Sequence, residues 1–388
     1  MPFATDELAA RLDAVRQRMA AADLDALVVA DPANIHYLAG YDAWSFYMPQ
    51  LLLVTHDEEP VLALRAMDAN GAHRTARLAA SRILGYPETW VHQPDRHPFS
   101  WIVDALRERG LVQPGRVGYE AEAHFLTVRS FLALQAAAPE WTLVDAEQLV
   151  NWARLVKSPA ELERMRAAGR VCTAAMLAGF EAVRPGMGQH ELAAVVAHAQ
   201  ATGVDGVAGD YPAIVPMLPT GESADTPHMT YSGRVLEAGE AVSFEIAGVS
   251  ERYHAPLART VSLGEPSREL RALASVTADG LDLVLDAMTP GRTLAEVHGL
   301  WQAHLARAGY EKASRLGYSI GIGYPPDWGE HTVSVRGDDE TVLQPGMTLH
   351  VIAGMWLTGS GCELSESVAV TESGIELLTH VPRELVVR

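Results

Sequence analysis

The sequence predicts an α/β domain over residues 1–154 followed by an α+β domain over residues 155–388. Three observations lead there. The chain has 388 residues, too many for one ordinary hydrophobic core, so two domains are expected. Its first half alternates helical and strand patterns, the order an α/β unit requires. A strongly signalled helix start at Ser158 then opens a second region of helices and longer strands.

In the first region, "DELAARLDAVRQRMAAADL" spaces apolar residues by three and four and reads as an amphipathic helix. "DALVVA" reads as a buried strand, and "QLLLVTHDEEPVLALR" as a hairpin around a polar turn. "HPFSWIVDALRERG" reads as a capped helix and "GRVGYE" as a short strand. The domain is expected to end near "VDAEQLVNWARLVKS".

The second region opens on a long helix with Ser158 as N-cap, Pro159 at the first helical position and Glu161 at the third. "GQHELAAVVAHAQ" reads as a helix, and "YPAIVPML" and "EAVSFEIAG" as strands. "RELRALASVTADGLDLVLDAM" and "TLAEVHGLWQAHLARAGY" follow as helices. "MTLHVIAGMWL" and "ESVAVT" close the chain as paired strands, so helices should surround an antiparallel sheet. No internal repeat or low-complexity segment interrupts this order.

Composition bounds the function. Forty-nine acidic against 30 basic residues leave a net charge of −19. That argues against nucleic acid or an anionic membrane as partner, since both attract basic surfaces; most of the charge should be solvated surface. Two cysteines, Cys172 and Cys362, form no disulfide framework and lack metal-ligand spacing. The N-terminus carries acids early and has no apolar core segment, so a cytoplasmic protein is expected.

One stretch does not fit ordinary strand chemistry. "ERYHAPLARTV" reads as one strand entering a second, yet Pro256 stands in mid-run. Proline removes a ladder donor and marks an edge, a bulge or a site.

The ordered motifs around it carry a resemblance. They are "R-x-x-K-S-P-x-E-L" at Arg154, "P-H" at His228 before "L-x-x-G-E", "A-R-T" at Arg259, "G-Y-S-I-G" at Tyr318 and the closing "V-A-V-T-E-S-G". In this order they resemble the pita-bread domain of the peptidase M24 family, the creatinase and aminopeptidase P group. The first ~150 residues are similar to the creatinase-type N-terminal domain that accompanies it. The resemblance thus spans nearly the whole chain and implies a hydrolase.

In metal-dependent members the framework supplies two Asp, one His and two Glu to a pair of divalent metals. Carried over residue by residue, the first Asp falls on Glu245 and the second on Pro256. The His falls on Tyr318, the first Glu near Ile352, and the last on Ser365 or, one off register, Glu366. Proline and isoleucine offer no donor, and hard cations need several oxygen or imidazole ligands. The resemblance with these departures implies a metal-free site and no cofactor; Pro256 can stand because no ligand is needed there.

"GYDAWSFYMPQ", "GDYPAIVPMLPTG", "PHMTY", "RYHAPLARTV" and "GYSIGIGYPPDWGEHT" are most similar to the metal-free ectoine hydrolases. That branch opens a cyclic amidine to N-acetyl-2,4-diaminobutyrate, so the resemblance implies a small cationic or zwitterionic substrate. Its ring carbon is activated by its own charge, and what remains is positioning, a base or nucleophile, and a proton donor. Glu245, alone on an apolar strand, and His228, in the place of the family's substrate-contacting histidine, are the expected catalytic pair. Trp44, Phe46 and Tyr47 are expected as an aromatic cage for the cation, reaching a partner's pocket in a homodimer. Arg65 is a candidate for the substrate carboxylate. Tyr211, His254, Tyr318, Glu330, His331, Glu363 and Glu366 complete the expected substrate-binding set. The alternatives are a creatinase-like amidinohydrolase, an Xaa-Pro peptidase-like hydrolase, or a catalytically silent binding protein.

Overall fold

The structure, a computed structural model, describes residues 3–388. It divides into two compact units, Met1–Arg154 and Leu155–Arg388.

The first unit begins with α1 (Thr5–Ala21), β1 (Ala26–Val29), α2 (Pro32–Ala39), β2 (Leu51–Thr55), β3 (Val61–Arg65) and α3 (Ala66–Thr75). It continues with β4 (Ile83–Tyr86), α4 (Pro98–Arg107), β5 (Gly115–Tyr119), α5 (Val128–Ala137), β6 (Trp141–Asp145) and α6 (Leu149–Ala153). The sheet order is β4-β3-β2-β1-β5-β6. β2 and β3 form the expected hairpin, with Leu52 opposite Leu62. β1 is buried along its whole length, as a strand covered on both faces must be. Phe99, Ile102, Val103 and Leu106 of α4 share one core cluster with Val28, Leu51 and Val117 of the sheet. α2 was not foreseen although its signals were present. Asp31 caps the Ala33 and Asn34 amides, Pro32 opens the helix, and Gly40 closes it at φ 70°.

The second unit begins with α7 (Pro159–Ala182), α8 (Gln189–Thr202), β7 (Ala241–Ser250), β8 (Tyr253–Ser262), α9 (Arg268–Ala287) and α10 (Leu294–Ala308). Then come β9 (Gly317–Tyr324), β10 (Asp327–Val335), β11 (Thr348–Leu357), β12 (Ser360–Val370), β13 (Ile375–Leu377) and β14 (Val386–Val387). The capping box at the start of α7 forms as read: the Glu161 amide donates to Ser158 Oγ, and the Ser158 amide to the Glu161 carboxylate. β9 and β10 were not anticipated, because their glycines and the Pro325–Pro326 pair break the apolar alternation. "YPAIVPML" is a correction too. It forms no strand; only Met217 bridges to its neighbours, because Pro212 and Pro216 interrupt the ladder.

β7 and β8 pair antiparallel along ten residues. Glu251 and Arg252, read as the start of a strand, are instead the two-residue turn between them, both at positive φ. Pro256 sits opposite Ala247 in mid-strand. The β8 residues of its parity turn their backbone groups away from β7. The Ala258 amide donates to Ser365 Oγ, and the Pro256 carbonyl accepts from Ser367 Oγ. The missing Pro256 N–H therefore lies on the side where hydroxyls of β12, not a ladder, meet the strand. That is why a proline can occupy the middle of β8.

The helices cover one face. Phe244 and Ile246 of β7 pack with Cys172, Met176 and Phe180 of α7. At Gly248 the approach is closest: a Cβ there would lie 2.1 Å from the Ala168 carbonyl oxygen. Because strand side chains alternate, Glu245 faces the opposite way from Phe244 and Ile246. The helix-free face of the sheet is where the site has to be.

Candidate active site

On that face three strands converge. β11 pairs with β12, placing Gly354 opposite Glu363, Ile352 opposite Ser365 and His350 opposite Ser367. β11 also pairs with β9, placing His350 opposite Tyr318. Glu245 and Glu363 are both buried, at 4% and 0% exposure. Between them acts Lys312, from the loop after α10, which is likewise buried. Its ammonium donates to Ser314 Oγ and to the Gly354 carbonyl, 2.8 Å each, and lies 4.2 Å from the centre of the Trp356 ring. Trp356 Nε1 in turn donates to Glu363 Oε1.

Burial dominates the electrostatics. It pushes the Glu363 carboxyl up to about 7, against the pull of Trp356 and Lys312. It pushes Glu245 well above the usual carboxylate range, reinforced by the charges of Glu363 and Asp327. It brings Lys312 down to about 8, although both glutamates pull the other way. Two buried carboxylates, both raised by burial, thus share one buried lysine. Buried carboxyls pushed up beside a lysine pushed down mark a candidate site for acid–base chemistry.

Tyr318 and His350 border this pair. Trp328 Nε1 donates to the Tyr318 hydroxyl at 2.9 Å, and that hydroxyl is 3.0 Å from His350 Nδ1. His350 Nε2 is 2.7 Å from Ser365 Oγ. Asp327 is held by Nε2 of His331 at 3.0 Å and by the Gly329 amide. Burial would raise its pKa, but these hydrogen bonds outweigh it and the net direction is down.

His228 lies on an exposed segment. Met217 bridges to Glu245 on one side and to Thr230 on the other. Thr230 is therefore about 10 Å from Glu245 by strand spacing, with His228 two residues away.

Several expected residues are committed elsewhere. Glu366 belongs to the helix-covered face: it pairs with buried Arg259 at 2.5 Å and accepts from Thr379 at 2.8 Å. A one-residue step along β12 turns the side chain to the other face, so Ser365, not Glu366, meets the pocket. Glu330 pairs with Lys157 at 2.6 Å, both fully buried. His254 has both nitrogens engaged, accepting from the Ala213 amide and donating to the Arg252 carbonyl. Burial lowers its pKa to about 3, so it pins a loop in neutral form. The Tyr211 ring stacks on the Arg252 guanidinium at 3.6 Å.

In the first unit, Phe46 is buried between Trp44 and Phe125, with ring centres 5.1 Å from each, which takes it out of any cage. Trp44 and Tyr47 remain exposed at 58% and 60%. Arg65 is held in a two-pronged pair with Glu88.

The sequence reading missed Lys312, Asp327, His350, Trp328 and Trp356. Lys312 stands outside any motif, and only the tertiary fold buries it. His350 was visible as a polar residue inside an apolar strand.

The donor set does not fit a bimetal centre. Pro256 and Ile352 bring no donor to it, and Tyr318 and Ser365 hold their oxygens in hydrogen bonds. Among the described residues no group of three or more His, Cys, Asp or Glu could hold a metal ion. No helix of the described residues is long and apolar enough to cross a membrane.

Comparison with known proteins follows the same division. Residues 11–156 match the creatinase/prolidase N-terminal domain, and residues 163–372 match metallopeptidase family M24. The chain belongs to the M24 family. Its architecture is the creatinase-type N-terminal domain followed by the M24 pita-bread domain. An ectoine hydrolase of Halomonas elongata is 41% identical, over 100% of this chain and 99% of its own. An uncharacterised hydrolase/peptidase of Sinorhizobium fredii is also 41% identical, over 100% of this chain and 98% of its own. Among solved structures, a prolidase of Thermococcus sibiricus superposes with a TM-score of 0.85 at 16% identity, covering both chains fully. A dipeptidase of Mycobacterium ulcerans gives 0.80 at 24%, over 100% of this chain and 99% of its own. These two speak to the M24 fold alone.

Proposed function

We propose that this M24 protein is a metal-independent ectoine hydrolase. One observation carries the reading: two buried carboxylates, Glu245 and Glu363, act on one buried lysine, Lys312, on the face where the family framework would call for metal ligands. The full-length similarity to an ectoine hydrolase supports the substrate.

A cyclic amidinium suits such a pocket. It brings a positive charge to two glutamates, and its carbon needs no Lewis acid to accept a nucleophile. As the cation binds, its charge lowers the pKa of Glu245. Glu245 then takes a proton from water as the water oxygen bonds to the ring carbon, or bonds to that carbon itself. Breaking the ring C–N bond returns a proton to the departing nitrogen, with His228 as the proposed donor. Ectoine plus water thus gives N-acetyl-2,4-diaminobutyrate. Lys312 holds Glu363 ionised and keeps the charge of the pocket near balance.

The test is proton NMR of ectoine incubated with the purified protein, beside a parallel incubation with an Xaa-Pro dipeptide. An acetylated diamino acid from ectoine and an intact dipeptide are expected. Cleavage of the dipeptide with ectoine untouched would refute the reading.

The same groups set a pH profile. Glu363 and Glu245 must both become ionised and burial raises both, so kcat/KM should rise only as the pH passes about 7. Lys312 must be protonated, so kcat/KM should fall above about 8. A narrow bell between those values is expected, and Lys312→Met should abolish its alkaline limb. A flat profile from about pH 6 to 9 would contradict these roles.

A further inference from the structure

Tyr318, His350 and Ser365 form a string that the mechanism above does not use. Two fixed donors anchor its ends. Trp328 Nε1–H donates to the Tyr318 oxygen at 2.9 Å, and the Ala258 amide donates to Ser365 Oγ at 2.6 Å. Neither donor can reverse, since an indole or backbone N–H has no acceptor role. Each hydroxyl therefore keeps its own proton and one further accepting position.

His350 lies between them, Nδ1 at 3.0 Å from Tyr318 and Nε2 at 2.7 Å from Ser365. A neutral imidazole donates from one nitrogen and accepts at the other. With the hydrogen on Nε2, Ser365 accepts it, Tyr318 donates to Nδ1, and the Ser365 proton is left over. With the hydrogen on Nδ1, Tyr318 accepts, Ser365 donates to Nε2, and the Tyr318 proton is left over. Both states use the same heavy-atom positions.

The ring stays neutral. Burial first, then the charges of Arg315 and Arg259, bring His350 down to about 3. Tyr318 keeps its proton because of burial and then the nearby charge of Glu245. The Tyr318 end of the string is thus the end that senses Glu245.

We propose that Tyr318, His350 and Ser365 act as a proton relay in which a tautomer change of His350 accepts a proton at one hydroxyl and releases one at the other. Its catalytic use rests on the amidine-hydrolase reading; its geometry does not. The balance closes within the string. The proton that Glu245 takes from water passes to the Tyr318 oxygen. The Tyr318 proton moves to Nδ1, the Nε2 proton moves to Ser365, and the original Ser365 proton leaves toward the departing nitrogen, a route that replaces direct donation by His228. One proton enters and one leaves with no change of charge; the string is left in the Nδ1–H state, and the reverse transfer must return it to the Nε2–H state before the next turnover. His350 touches no substrate in this scheme and is a positioning residue.

The experiment is nitrogen NMR of histidine-labelled full-length protein, free of any substrate. Wild type is expected to show His350 averaged between its two neutral tautomers from about pH 5 to 8. Tyr318→Phe should leave the Nε2–H form, because only Ser365 remains as partner. Ser365→Ala should leave the Nδ1–H form. One unchanged tautomer in all three proteins would overturn the relay, as would a ring gaining a second proton above about pH 5. Should a variant fail to fold, a fixed tautomer in wild type alone overturns it. Assay on ectoine separates the two claims. Both variants should lose about 100-fold or more in kcat with KM within about twofold, and turnover at the wild-type rate would refute the relay's role. A wild type that exchanges tautomers yet leaves ectoine intact would uphold the relay and sink the substrate reading.

Discussion

Replacing Glu245 with glutamine is expected to lower turnover on ectoine by about 100- to 10,000-fold, the usual contribution of a general base, while the protein stays folded. Glutamine mimics the protonated carboxyl that burial favours in the free pocket, so the resting structure should barely change. What the variant loses is the ionised state that a bound amidinium induces. Substrate should bind more weakly, since an ion pair is gone, but kcat should carry most of the loss. A fall of less than about tenfold, roughly 1.4 kcal/mol in the barrier, would move the base or nucleophile to Glu363.

The second large effect is on stability. Arg259 is fully buried and spends its donors on Glu366 and on the carbonyls of Ala258, Ser365, Val381 and Pro382. Glu366 supplies its counter-charge and also lies 3.6 Å from Arg383. Glu366→Ala leaves a buried guanidinium without an anion, and such losses cost about 3–5 kcal/mol. Urea unfolding should register that drop, with turnover of the folded fraction preserved. The double variant Arg259→Met with Glu366→Leu should recover only part of it: the uncompensated charge is gone, but the carbonyls of Ala258, Ser365, Val381 and Pro382 and the Thr379 hydroxyl lose their partner. A single-variant loss under about 1 kcal/mol would mean the pair contributes little.

The fate of Glu366 shows what the sequence could and could not supply. Candidate carboxylates could be picked out by motif, but Ser365 and Glu366 differ by one step on β12, and one step chooses the face. Only the pairing of Ile352 with Ser365 settles it. Glu245 was legible because a lone acid on an apolar strand is costly without a use. Glu330 was equally acidic on paper, yet Lys157, distant in sequence, neutralises it. Lys312 was invisible for the opposite reason: a lysine in a loop is ordinary until the fold buries it beneath Trp356. Among elements, the α7 start and the 51–65 hairpin carried local signals. β9 and β10 did not, because their glycines and prolines break the period that marks a strand.

The central claim, hydrolysis by carboxylates without a metal, is tested most directly by following ectoine turnover before and after exhaustive chelation, with metal content measured on the same samples. The account predicts formation of N-acetyl-2,4-diaminobutyrate at an unchanged rate and no stoichiometric transition metal. Activity lost on chelation and restored by a divalent ion, with about two equivalents bound per chain, would contradict it.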